Sequence, residues 1–167
     1  MKHTISVVTA NPGGVATQVG DVFECQPLPA TNTELLKLLR SLKQAAVLSG
    51  GEPLCLVERF ESLRFEETER QGFLLGALSA LDFPVVVSVR REEWQAVFRR
   101  HPAWRGLGLR EFNERLLRVA KFFFRNCEVT PGTAEALTLL LWGARSLRTD
   151  DSNRRIVTRP ASEILNG

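Results

Sequence analysis

A carboxylate directly follows a short apolar run near the middle of the chain. Residues 54–57 are all of types that are usually buried, and Glu58 comes next, ahead of Arg59 and Phe60. Such a run is typical of a central β-strand, and ligands of open α/β sheets bind at the carboxyl ends of the strands. Glu58 is therefore the first candidate for chemistry; the alternative is that it begins a solvated loop.

Two other polar side chains stand at the ends of apolar segments. Asn11 follows a β-branched run and precedes Pro12, Gly13 and Gly14, which form a strong turn signal. Glu135 lies in the first turn of a strongly apolar segment that is predicted to form a helix over residues 134–146.

The spacing of apolar and turn-forming residues predicts the elements that must position these side chains. Residues 4–9, 15–19 and 21–26 form a meander of three strands, followed by a helix, the Glu58 strand, a helix over about 66–81 and a strand over 83–89. A short helix after Arg91, an amphipathic helix over 109–123 and the last helix complete the order. This pattern predicts an α/β protein with a mixed five-stranded sheet and helices on both faces, which is the element order of the ribonuclease H-like fold.

Length and composition predict one domain over residues 1–147 and a polar C-terminal tail over 148–167. No apolar run reaches membrane-spanning length and the N-terminus lacks a signal-peptide pattern, so we expect a cytoplasmic protein. The three cysteines have no CxxC spacing and are typical of reduced core residues. With only His3 and His101 available, a histidine metal site or a Ser/His/Asp triad is poorly supported.

The positive charge is concentrated in the second half of the chain. Residues 90–159 hold 15 Lys and Arg against 8 Asp and Glu, whereas residues 1–89 hold 7 against 10. Most of these cations are arginines, whose planar guanidinium binds phosphate well, so a polyanionic partner is one interpretation. The other is a composition bias that places arginines on solvated helix faces.

In a ribonuclease H-like arrangement the ends of the first and fourth strands meet the start of the last helix, which brings Asn11, Glu58 and Glu135 together. Crowded carboxylates need a neutralising cation, and their hard oxygen ligands suit Mg²⁺ or Mn²⁺. Such ions activate water and stabilise the leaving oxygen in phosphodiester cleavage.

Three stretches resemble the RuvC-like Holliday junction resolvases, most closely their phage-type branch. Residues 8–16, around Asn11-Pro12-Gly13-Gly14, are similar to the first-strand motif of that family. Residues 56–60, 72–78 and 84–89 with Trp94 are similar to its central glutamate strand, glycine-containing helix and fifth strand. Residues 133–143, around Glu135, are similar to its final acidic helix.

The resemblance implies a homodimer that binds branched DNA at four-way junctions and uses Mg²⁺ or Mn²⁺, with Asn11, Glu58 and Glu135 at the metal and catalytic positions. It further implies phosphate contacts by five arginines, Arg90, Arg91, Arg99, Arg100 and Arg105, and base stacking by Phe60 or Trp104. The alternatives are solvated arginines and a Trp104 that packs on the core. The helix with Gly72 and Gly76 is the candidate dimer face, against ordinary packing within the chain.

Two departures from the family pattern bear on activity. Asn11 stands where the family has its first aspartate, and Pro131-Gly132 replaces the acid expected shortly before Glu135. The leading hypothesis is a metal-dependent, structure-selective endonuclease that resolves four-way junctions, impaired as written. The alternatives are a relative that binds branched nucleic acid or a protein partner without cleaving, and another activity on the same fold. Three explanations for these departures are open. The Asn11 substitution is engineered, or the chain is a natural relative that has lost activity, or a rearranged site uses Asp21 or Glu24.

Overall fold

The computed structural model describes residues 2–8, 13–59 and 64–146. The strands are β1 (Lys2–Val8), β2 (Gly14–Val19), β3 (Val22–Pro27), β4 (Glu52–Arg59) and β5 (Val85–Arg90). The helices are α1 (Asn32–Leu48), α2 (Phe65–Ala80), α3 (Arg91–Arg99), α4 (Leu109–Phe123) and α5 (Pro131–Ser146), with a 3₁₀ turn at Pro102–Trp104. The predictions for Asn11, Phe60 and the tail 148–167 lie outside the described residues.

The strands form one sheet in the order β3-β2-β1-β4-β5. The meander pairs antiparallel, β1 with β2 and β2 with β3, whereas β4 runs parallel to both β1 and β5. The predicted mixed α/β class is therefore confirmed. The parallel centre of the sheet puts the carboxyl ends of β4 and β5 at one edge.

Alternation along β4 divides the core between the two faces of the sheet. Leu54 and Leu56 pack with α3, α4 and α5, whereas Cys55 and Val57 pack with α1 and α2. The side-chain period of two places Glu58 on the same face as Leu54 and Leu56. Its carboxylate thus points toward the layer that contains α5.

Two glycines allow α5 to lie close against this face. A Cβ atom on Gly14 would come within 2.5 Å of the carbonyl oxygen of Gly132, and one on Gly143 within 2.1 Å of a Leu56 methyl. Side chains at these positions would push the helix away from β2 and β4. The close approach fixes the distance between Glu135 and the end of β4.

The last helix begins three residues earlier than the apolar pattern predicts. Thr130 and Thr133 cap its start reciprocally, because each backbone N–H donates to the other residue's hydroxyl, at 2.7 and 3.3 Å. Pro131 is then the first helical residue, where proline is favourable because its missing N–H would have no helical partner. Glu135 consequently lies in the second turn.

Within the described part of the chain, no helix combines the length and apolar character needed to cross a membrane.

Candidate functional site

Glu58 is fully buried at the carboxyl edge of the sheet. It is opposite Val89 in the parallel β4–β5 ladder, and β5 ends one residue later, where α3 begins directly. This strand-to-helix junction leaves no loop between the two elements. It puts the first residue of α3, Arg91, next to the Glu58 carboxylate.

Arg91 binds both predicted acidic residues. Its Nε donates to Glu58 Oε1 at 3.2 Å and its Nη2 to Glu58 Oε2 at 2.9 Å, a bidentate pair. The same Nη2 lies 3.1 Å from Glu135 Oε2. The structure therefore brings Glu58 and Glu135 to one site, with a guanidinium between them.

Trp94, one turn further along α3, supplies another donor to Glu58. Its indole Nε1 donates to Glu58 Oε1 at 2.9 Å, and its ring is fully buried. Both oxygens of Glu58 are thus occupied by hydrogen bonds from α3, so this buried carboxylate is well compensated. The sequence did contain a signal for these partners of Glu58: Arg91 directly follows a predicted strand, and Trp94 lies three residues after it.

The pKa of Glu135 and the pKa of Arg91 are both raised. Burial raises the pKa of Glu135 to about 7; Arg91 partly offsets this rise and the charge of Glu58 adds to it. Burial opposes the charge of Arg91, but the hydrogen bonds and charge of Glu58 and the charge of Glu135 outweigh it, so its pKa also lies above the ordinary value. The ion pair alone would lower the pKa of Glu135. Its raised value means that one guanidinium does not compensate two buried carboxylates.

The described residues do not fit the divalent metal that the sequence predicts. Arg91 occupies the space between the carboxylates and donates to both oxygens of Glu58. Among these residues, no group of three or more His, Cys, Asp or Glu side chains is placed to hold an ion. The third predicted ligand, Asn11, lies outside them. In this arrangement the positive charge comes from an arginine.

The remaining predicted phosphate-binding arginines are spread over the end of β5, α3 and the turn after it. Arg90 is exposed and forms a 3.0 Å ion pair with Glu93. Arg99 donates to the carbonyl of Leu107 at 3.0 Å, while Arg100 and Arg105 are exposed. The exposed members can reach a phosphate, whereas Arg91 is engaged with Glu58 and Glu135.

The sequence analysis did not single out Arg59 as a phosphate contact. Arg59 ends β4, is exposed, and lies directly opposite Arg90 in the β4–β5 ladder. Two arginines therefore hold paired positions at the carboxyl edge of the sheet, one residue beyond Glu58 and Val89. The available signal was an arginine at the end of each of two predicted parallel strands.

Trp104 is not available as the predicted base-stacking residue. It is only 9% exposed, and its ring packs against Phe98 and Phe112, with centroids 5.4 and 5.1 Å away. The proline and glycine around it suggested an open loop, but a 3₁₀ turn directs the ring into the core. The structure follows the alternative in which Trp104 packs on the core.

The predicted dimer face on α2 is open. A Cβ atom added to Gly72 or Gly76 would meet nothing within 4 Å. Among the residues that the structure describes, these glycines therefore do not serve close packing, which was the alternative explanation for their spacing.

Comparison with known proteins gives a match at the level of structure alone. No family model and no curated protein matches the sequence. RuvC of T. thermophilus, solved in complex with a Holliday junction substrate, matches with a TM-score of 0.59 and 14% identity over 89% of this chain and 96% of that chain. YeaZ of Pseudomonas aeruginosa matches with a TM-score of 0.39 and 18% identity over 62% of this chain and 50% of that chain. The chain thus has a RuvC-like, ribonuclease H-like fold.

Proposed function

We propose that this protein binds branched DNA, such as a four-way junction, and that with its present sequence it does not cleave the DNA. The observation that carries the proposal is the contact of Arg91 with both Glu58 and Glu135. At a nuclease centre these carboxylates would hold metal ions. Here an arginine from the same chain forms ion pairs with both.

The DNA-binding part of the proposal is supported by fold and charge. The T. thermophilus RuvC structure that matches over 89% of this chain was solved with a Holliday junction substrate. The exposed Arg59 and Arg90 stand at the carboxyl edge of the sheet, where ligands of α/β folds bind. Contacts of arginines with phosphates position a protein on DNA without reading its sequence, which suits recognition of branched structure.

The absence of cleavage follows from the chemistry of the two acids. Glu58 accepts three hydrogen bonds from Arg91 and Trp94, so a metal ion would have to displace a bidentate guanidinium. Because the pKa of Glu135 is about 7, this group carries a proton in part of the molecules at neutral pH. A protonated carboxyl is a poor ligand for Mg²⁺ or Mn²⁺.

The second candidate function is a metal-dependent endonuclease that resolves four-way junctions. It is favoured by the shared site of Glu58 and Glu135 and by the 24% exposure of the Arg91 side chain. A DNA phosphate that drew Arg91 outward would free both carboxylates for Mg²⁺ or Mn²⁺. Asn11 would then take a ligand position through its amide oxygen, which lacks the negative charge of an aspartate.

Under either function we propose that the protein forms a homodimer through the face of α2 that contains Gly72 and Gly76. Gly72 and Gly76 leave this face without obstructing side chains, and Phe65 on the same helix is 80% exposed. A second copy would cover this phenylalanine. The oligomeric state in solution, measured by light scattering for the chain and for Phe65→Ala, tests the arrangement.

Junction binding is tested by fluorescence anisotropy with a labelled four-way junction and a duplex of the same sequence, both in EDTA. We expect the protein to bind the junction more tightly than the duplex. The logarithm of the dissociation constant should rise linearly with the logarithm of the salt concentration, and added Mg²⁺ should not change the affinity. Arg59→Ala and Arg90→Ala should each reduce the salt slope by about 1. Equal affinity for junction and duplex would contradict the proposal.

A further inference from the structure

An apolar groove of about 570 Å³ opens on the α3–α4–α5 layer, away from the sheet edge that holds Arg59 and Arg90. Its walls are Val97 and Phe98 of α3, Val119 and Phe123 of α4, and Trp142 of α5. The groove has the volume of a typical binding cleft and a lining that is almost wholly apolar. Neither of the functions proposed above uses it.

The mouth of the groove is unusually apolar for a surface. Phe123 is 68% exposed and Val97 48%, and the neighbouring Phe122, 63% exposed, packs edge-on to Phe123. Large side chains that cluster at the surface beside a concave apolar site mark an interaction surface. The cluster is therefore expected to be covered by a partner.

The charge around the groove identifies the kind of partner. Residues 97–125, which build two of its walls, contain eight Lys and Arg and only two Glu. Two of these arginines lie over rings at the groove: Arg115 is 5.8 Å from the centre of the Trp104 ring and Arg125 is 5.3 Å from that of Phe122. The lining itself contains no carboxylate. An occupant must therefore be apolar where it enters and negatively charged around that point.

Nucleic acid is also negatively charged, but the lining suits a peptide better. The polar side chains that line the groove are His101 and Thr138. The Thr138 hydroxyl donates to the carbonyl of Ala134, and His101 Nδ1 accepts from the N–H of Ala103. A base inserted here would find few partners for its polar edge, which is costly, whereas an aliphatic or aromatic side chain needs none.

We propose that this groove binds a protein segment that carries acidic residues around one or more large apolar side chains. The apolar side chains fill the space between Phe98, Val119 and Trp142. The acidic residues face Arg115 of α4 and Arg125, which follows the end of that helix. Such binding would bring a protein partner to a DNA-binding protein through a separate surface.

Selection from a display library of short random peptides on the full chain tests this inference. The selected sequences are expected to combine Asp or Glu with Phe, Leu or Trp. For the best of them, Phe123→Ala should weaken binding by about tenfold or more, as expected for an anchor contact. Leu48→Ala is the matched control, because this leucine is 79% exposed but lies on α1, and it should leave the affinity unchanged.

Three results would overturn the inference. One is the absence of acidic and apolar residues among the selected peptides; another is peptide binding that does not respond to Phe123→Ala. The third is evidence for a different occupant while the peptides fail to bind. This would be self-association of the chain, or binding of single-stranded DNA, that is lost in Phe123→Ala. Circular dichroism of each variant establishes that it is folded.

Discussion

Nη2 of Arg91 lies 2.9 Å from Glu58 Oε2 and 3.1 Å from Glu135 Oε2, so one guanidinium nitrogen joins the end of β4 to the second turn of α5. The contact has a structural consequence as well as a chemical one. Without Arg91, two buried carboxylates would face each other without a counter-charge. The stability of the fold and the properties of the site should therefore both depend on this residue.

Arg91→Ala is expected to lower the free energy of unfolding by about 3 kcal/mol, because it leaves buried carboxylates uncompensated. Urea denaturation of the purified proteins measures the change. Arg90→Ala is the matched control. The Arg90 side chain is 71% exposed and pairs with Glu93 at the surface, so its loss should change stability by no more than about 0.5 kcal/mol. Similar effects of the two substitutions would show that the Arg91 contacts contribute little.

The Arg91→Ala variant should also acquire a binding site for a divalent cation. Once the guanidinium is removed, Glu58 and Glu135 present oxygen ligands of the kind that Mn²⁺ prefers. Mn²⁺ binding, followed by electron paramagnetic resonance at a pH well above the raised pKa of Glu135, is expected for Arg91→Ala and not for the original chain. A double variant that adds Glu58→Ala should lose the binding again. Equal Mn²⁺ binding by the original chain and Arg91→Ala would contradict the role assigned to the arginine.

Glu135 should make stability depend on pH. Its pKa rises from an ordinary 4.5 to about 7 on folding, so the folded chain keeps this proton over a range in which the unfolded chain has released it. Stability from this group is therefore complete below the ordinary pKa and is lost as the pH rises toward 7.

Glu135→Gln isolates this contribution, because glutamine does not titrate. Relative to the original chain, the variant should gain stability as the pH rises through this window, by at most about 3 kcal/mol in total. Urea unfolding at the two ends of the window measures the gain. A difference between the two proteins that is independent of pH would show that the pKa of Glu135 is unchanged on folding.

Trp94→Phe removes the indole N–H that Glu58 accepts while it keeps an aromatic ring in the core. The lost hydrogen bond to a buried charge should cost about 2 kcal/mol beyond the loss of packing. Trp104→Phe supplies the packing control, since Trp104 is also buried among aromatic rings. If both variants lose the same stability, the hydrogen bond of Trp94 has no net effect.

Much of the architecture was predictable because it depends on local patterns. The alternation through Leu54 and Leu56 continues to Glu58, and it correctly marks that acid as part of a buried row. The start of α5 was predicted too late, because Pro131-Gly132 resembles a chain break when the capping by Thr130 and Thr133 is not considered. The sequence left Trp104 open between base stacking and packing on the core, since its burial depends on rings contributed by α3 and α4.

The central feature of the site was not predictable from local patterns. Arg91 is 33 positions from Glu58 and 44 from Glu135, and its charge suggested a contact with DNA. Its actual partners depend on the abrupt junction of β5 with α3 and on the close approach of α5 that Gly14 and Gly143 permit. Both are tertiary features. The remaining predicted residues of the site, Asn11 and Phe60, lie outside the described residues, and their roles stay predictions.

The most direct test of the account is a gel assay on a synthetic four-way junction with Mg²⁺, Mn²⁺ or EDTA. The chain as written, Asn11→Asp, and Asn11→Asp combined with Arg91→Ala are compared. We predict that the chain as written binds the junction under all three conditions and leaves it uncut. Symmetric, metal-dependent cuts by that same unaltered chain would contradict the account, because they would show that Arg91 does not keep the carboxylates from a metal ion.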